Sequence, residues 1–235
     1  MKIQSSLRKV LWVGSMATIL LVAVGFMRFP PTEGSFIKYV VLGLVVATII
    51  CGAGYVGIRA TSTKTRQDEL ALRRGINMGW ILGAVWVVYI LTSHWLVGLA
   101  DKPTLGNLET TITFVLTIGL ILVMSTLTAW QTHSLWTGMK VGLWEGLIVG
   151  MVGFLTTLVM LYVSMGFLVQ QMNFGELQAF DLSGWHNREV WYFWEEEFAG
   201  CAGYFATQLI MGAVGGFLGG LIGRTGAVLK KQPVN

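Results

Sequence analysis

One acidic residue sits deep within an apolar stretch, Glu145 in Lys140-Val-Gly-Leu-Trp-Glu-Gly-Leu147. A carboxylate within a hydrocarbon layer is costly, so it is expected to face protein or water and to serve as a proton or cation site. Helical rotation sets it close to the face of Gly138 and Gly142, which turns it inward. The competing reading is a packing role, with Glu145 paired to Lys140, Asn77 or Arg74 near the same helix end. The histidines offer less. His94 falls near the end of one apolar stretch, His133 in a short loop and His186 among aromatics, and no two share a helix at ligand spacing.

Glu195, Glu196 and Glu197 are adjacent, so on a helix they spread around the axis rather than converge on a cation. No metal site, cofactor or catalytic residue is expected, because G-x-S-x-G, H-E-x-x-H and P-loop patterns are all missing. The Glu195-Glu196 pair invites comparison with the E-E-x-x-x-R signature of intramembrane CAAX-type proteases. Gly200 stands where that signature has arginine, and the resemblance is rejected. Cys51 and Cys201 each lie within an apolar stretch with no C-x-x-C pair, so no disulfide framework is expected.

The elements that carry these residues follow from composition. The chain is 54% hydrophobic and 12% charged, where soluble domains carry about 25% charged residues. A span needs roughly 20 mainly apolar residues to cross a hydrocarbon core of about 30 Å. Six stretches qualify, near 10–28, 37–58, 75–99, 109–130, 140–170 and 199–223, giving an all-α polytopic membrane protein with a six-helix bundle as its single domain over 1–235. The fifth is too long for one straight span and should tilt or end in an exposed turn near Gly166. The opening Met-Lys-Ile-Gln-Ser-Ser-Leu-Arg-Lys resembles the start of a secretory signal. Without an A-x-A-type site after it, a retained first helix is expected.

Orientation follows from the basic residues, which resist translocation when they lie in short loops. With the N-terminus inside, twelve of the sixteen Lys and Arg are cytoplasmic, and only Arg28, Lys38, Lys102 and Arg188 are external. Nine acids, including Glu195 to Glu197, fall on the opposite side. The loop from Arg59 to Arg74 could attract anionic headgroups, although topology alone accounts for its five basic residues. Nucleic-acid binding has no separate support. The chain is therefore placed in a plasma membrane, prokaryotic by its short loops, with both termini cytoplasmic.

One long external loop, about 171–198, carries Trp185, His186, Trp191, Tyr192 and Trp194. Tryptophan and tyrosine favour the headgroup zone, so a short interfacial helix or an aromatic belt is expected before the last span.

Glycine spacing is the most specific pattern: Gly75, Gly79 and Gly83; Gly138, Gly142, Gly146 and Gly150; and Gly212, Gly216 and Gly220, with Gly215, Gly219 and Gly223 beside them. Rows of small residues let helix backbones approach closely in lipid. Helices three, five and six are therefore expected at the centre, with one and two peripheral. Laying Arg74–Gly83 on Thr137–Gly146 at an offset of 63 suggests a duplicated helical hairpin, although glycine periodicity alone could produce the match. The functional expectation is a non-enzymatic small-solute transporter or the membrane subunit of a transport system. The alternative is a structural or assembly subunit that binds a membrane partner, or a second copy, through its glycine-rich faces.

Overall fold

Away from water every backbone donor and acceptor must be satisfied within the chain, and helices achieve this locally. The structure, a computed structural model, describes residues 2–31, 36–61, 65–96, 102–172 and 174–229, with side chains described in these except at 2–4 and 94–107. Its helices are α1 (Lys2–Arg28), α2 (Phe36–Ala60), α3 (Arg66–Leu96), α4 (Lys102–Thr132), α5 (Leu135–Gln170), α6 (Phe174–Ser183), α7 (Arg188–Trp191) and α8 (Ala199–Leu229). A π-helical segment, Tyr192–Phe198, fuses α7 to α8. The described residues include no strand, and six helices are long and apolar enough to cross a membrane. This architecture fits a multi-pass integral membrane protein. Large apolar side chains such as Trp12, Leu20, Ile37, Val115 and Val163 are exposed on its flanks, as lipid contact would require.

The centre is α5, whose apolar stretch is 67% buried against 28–39% for the other five. On one side it meets the α1–α2 hairpin, where a Cβ built on Gly57 would touch Leu147, Leu11 and Trp144. On the other it packs against α3 and α8, and α4 lies along α8. The expected centre of three helices is thus a set of four, since α4 belongs with α3, α5 and α8.

Several boundaries differ from expectation. The α3 helix begins at Arg66, because Asp68 and Thr65 satisfy its first turn: Thr65 Oγ1 accepts from the Asp68 amide at 3.1 Å. No turn interrupts α5 at Gly166. The helix runs through to Gln170 and ends where the Gln171 amide reaches the Leu168 and Val169 carbonyls. At about 1.5 Å per residue its 36 residues extend about 54 Å, so α5 tilts in, or projects from, a layer of ordinary thickness. Between α4 and α5, His133 adopts a left-handed conformation (φ 55°) and Ser134 caps α5 through the Thr137 amide, which makes a tight reversal.

The last apolar rod begins at Arg188 rather than at 199. Here the aromatic reading needs correction. Trp191 and Trp194 are 3% and 0% exposed, and Phe193 and Phe198 are fully buried, so these rings form core rather than an outer belt. Five consecutive buried residues, Val190 to Trp194, exceed one face of an α-helix. The π turn, with its extra residue per turn, lies where they are all accommodated. Trp194 donates from Nε1 to the Phe29 carbonyl at 2.8 Å and packs on Phe26, Tyr39 and Phe198. Trp185 is half-buried against Tyr39, while His186 is exposed. Before the rod lies a ten-residue helix, α6, with Phe174 and Leu182 both exposed.

Polar contacts mark the two ends of the bundle. At the basic end Arg8 donates to Thr61 (2.7 Å), Arg74 to Thr128 (3.0 Å) and Gln131 (2.6 Å), and Lys140 pairs with Asp68 (2.5 Å). At the aromatic end Lys38 pairs with Glu195 at 2.9 Å, and the Tyr39 hydroxyl donates to the same carboxylate. Tyr39 is 1% exposed and ties α2 to the π segment. Tyr39→Phe should therefore lower stability by about 1.5–3 kcal/mol, the range of a lost hydrogen bond to a charged group. Thermal unfolding in detergent measures it, and an unchanged midpoint would mean that the α2 junction does not depend on this bond.

A candidate polar site in the four-helix core

The geometry of the glycine rows determines what surrounds Glu145. Along α5, a Cβ on Gly138 would lie 2.7 Å from the Gly220 Cα, one on Gly142 would strike the Gly212 carbonyl and come within 2.6 Å of the Gly216 Cα, and one on Gly146 would strike the Gln208 carbonyl. The row is thus laid backbone to backbone on α8. At Gly150 the neighbour changes to the Phe205 ring, at 2.9 Å. Gly215, Gly219 and Gly223 turn to α4 instead, against Ile121, Ser125 and the Thr126 carbonyl. Gly75, Gly79 and Gly83 meet side chains of α5: Trp144, Ile148 and Val152. These faces are occupied by helices of the same chain, which removes the sequence-level reason for placing a partner on them. The corresponding glycines of the suspected repeat also meet different kinds of neighbour, so the two stretches are not packed equivalently.

Glu145 lies between these seams, with its Cα 3.4 Å from a Cβ placed on Gly79. It is 0% exposed, and neither carboxylate oxygen has a hydrogen-bond partner among the described residues. The expected pairing fails for a plain reason: Lys140 is engaged by Asp68, Arg74 by Thr128 and Gln131, and Asn77 is exposed. On α8, Gln208 is 2% exposed and equally unpartnered at Oε1 and Nε2. Its carbonyl abuts Gly146, the residue after Glu145, and its Cβ lies 3.4 Å from a Cβ placed on Gly150. Two unsatisfied polar side chains thus occupy neighbouring levels of α5 and α8. Leaving such groups bare costs about 1–3 kcal/mol each, and among the described residues only the hydroxyls of Ser15 and Ser125 share that condition.

No known protein family, curated protein or solved structure matches the chain. The site therefore has to be read from its own chemistry.

Above the Glu145 level, toward the aromatic end, Leu82, Trp86, Ile121 and Val149 form a small core, with Tyr89, Phe114 and Tyr204 packed around it. The polar atoms of this ring are connected. Trp86 donates to Thr117 at 3.0 Å, Tyr89 and Thr110 share a bond of 2.8 Å, and the Tyr204 hydroxyl donates to that of Tyr89 at 3.4 Å. Thr92 donates to Glu109 at 2.5 Å near the same end. Toward the basic end α4 supplies Ser125 and Thr128, both buried, and the Ser125 hydroxyl has no partner among the described residues.

Sequence reasoning singled out Glu145 but missed Gln208 and the hydroxyl row on α4. A signal was present: Thr110, Thr113, Thr117, Ser125 and Thr128 recur at helical spacing and lie on one face. The glutamates of the π segment diverge as expected, Glu195 toward Lys38 and Tyr39, Glu197 toward Tyr192 (2.9 Å), and Glu196 into the open. His133 occupies the α4–α5 turn, and the side chain of His94 lies outside the described residues.

Proposed function

We propose that the protein is a small-solute transporter of the plasma membrane, or the membrane subunit of a transport system, and that it is not an enzyme. The carrying observation is the Glu145–Gln208 level: two enclosed polar side chains, from the two most closely packed helices, with all four polar atoms unpartnered among the described residues. An intramembrane ionisable residue is costly to keep and is a functional-site candidate by default. The loss of the Lys140 and Arg74 pairing alternatives strengthens that reading for Glu145. The excess of basic residues supports a cytoplasmic position for the end carrying Arg8, Arg59, Arg74 and Lys140, with both termini inside and α6 outside. The exposed Phe174 and Leu182 suit α6 to the outer headgroup zone. Short loops favour a prokaryotic membrane.

The test is flux. Purified protein reconstituted in vesicles should pass protons or a small solute above the protein-free level, and Glu145→Gln, which keeps shape but removes the ionisable group, should return flux to that level. Wild-type vesicles indistinguishable from empty ones would sink the transport reading.

A further inference from the structure

The two ends of the core are not alike. Toward the basic end, the Gly138 to Gly146 row of α5 is pressed against the Gly212 to Gly220 backbone of α8, with no room for even a methyl group between them. Gly219 and Gly223 are similarly closed against α4. Toward the aromatic end the seam ends: at Gly150 it gives way to a ring, and at the buried Gly153 an added Cβ would meet nothing within 4 Å. Polar groups follow the same division. Thr110, Tyr89 and Tyr204 are linked hydroxyl to hydroxyl, and Gln208 lies one helical turn from Tyr204 on the same face of α8.

We infer that Glu145 exchanges protons with the aromatic end of the bundle through the hydroxyls of Thr110, Tyr89 and Tyr204 and water held beside Gln208, and that the species handled at this site is the proton. This rests on the transport reading and narrows its substrate. A relay of hydroxyls suits a proton because each oxygen can accept one proton as it releases its own to the next. No bond remains broken once the hydroxyls turn back. A larger solute would need an open lumen, whereas the hydroxyls of Thr110, Tyr89 and Tyr204 already lie in contact. The Gln208 and Glu145 side chains have no hydrogen-bond partner among the described residues, so the step from Tyr204 to Glu145 falls to water: their four atoms supply the two to four polar partners that a buried water requires, and Gln208 orients that water without passing a proton itself.

Other charged groups do not compete for this role. On α3, Arg74 is held by Thr128 and Gln131 and Arg73 by Glu69. On α5, Lys140 is held by Asp68. Arg224 lies three turns along α8 from Gly212, toward the basic end, and α4 contributes Glu109 only at the aromatic end. Nearer Tyr204, Glu197 is held by the Tyr192 hydroxyl and the Cys201 thiol is buried in the apolar core, which leaves the hydroxyl row to carry a proton toward Glu145.

The experiment uses the full chain in vesicles loaded with a pH-sensitive dye and driven by a potassium diffusion potential. Tyr204→Phe and Tyr89→Phe each remove one oxygen, so both should fold, as a detergent melting curve would verify. Each should lower proton flux by about tenfold, the effect of ~1.4 kcal/mol on a barrier, while Glu145→Gln abolishes it. Thr110→Val provides a third, independent cut in the relay and should act in the same direction. If Glu145→Gln abolishes flux but the tyrosine variants stay within about twofold of wild type, a change too small for a lost relay step, the route is overturned and the transport reading survives. If wild-type vesicles pass another solute but no protons, the proton assignment fails alone. If they pass nothing, both readings fail.

Discussion

Gly142→Leu should leave the chain unable to assemble its core. The glycine sits where α5 and α8 touch backbone to backbone: a Cβ would collide with the Gly212 carbonyl and approach the Gly216 amide nitrogen to 2.8 Å. Neither obstacle is a flexible side chain that can turn away. Alanine alone would force the helices apart, at about 1–3 kcal/mol for an overpacked site, and leucine adds three more carbons in the same direction. The loss should spread, because lipid supplies little drive for helix association and the pair is held by close packing itself. Separating α5 from α8 at Gly142 also loosens Gly138 on Gly220 and Gly146 on Gln208. Unfolding in detergent, read by melting temperature and protease resistance, should show Gly142→Leu largely unfolded where wild type is intact. Gly119→Ala and Gly52→Ala are the controls. Neither added Cβ has a neighbour within 4 Å, so each should be neutral or stabilising by up to about 1 kcal/mol through helix propensity. A Gly142→Leu protein that melts with wild type would show that the α5–α8 seam is not what holds the bundle.

The same glycines show how far the sequence could be read. Their four-residue spacing announced close approach, and helical periodicity put Glu145 on the inward side. Both follow from rules local to one helix. What spacing could not supply was the neighbour. Gly212 and Gly215 are three residues apart, yet one faces α5 and the other α4, so α8 is wedged between two partners. The aromatic segment failed for a related reason. Trp191 and Trp194 carry the composition of an interfacial anchor, and composition cannot distinguish a ring in the headgroup zone from one packed under Phe26 and Phe29. A π turn has no clear sequence signature either, so the burial of five consecutive residues was not legible. Gln208 was overlooked because a single amide in an apolar helix carries no charge to draw notice. Its significance comes from what it lacks, a partner, and only a tertiary arrangement reveals that.

Glu145→Met should make the protein more stable and inactive at once. Methionine is close to glutamate in length and shape, is unbranched, and fills irregular space readily, so the site should accept it without displacing Gly79 or Ile148. What disappears is a pair of buried oxygens with no partner among the described residues. Removing an unsatisfied buried polar group recovers its desolvation penalty, about 1–3 kcal/mol, and apolar replacement of buried polar sites has the same sign in other cores. A higher melting temperature for Glu145→Met, together with flux at the protein-free level, would identify a residue kept for function against the interest of the fold, the trade-off expected of functional sites. Glu145→Gln separates the two effects: it retains a buried polar group, so it should lose flux without gaining the stability. If Glu145→Met instead melts well below wild type, the carboxylate is structural and the case for a transport site at this level falls with it.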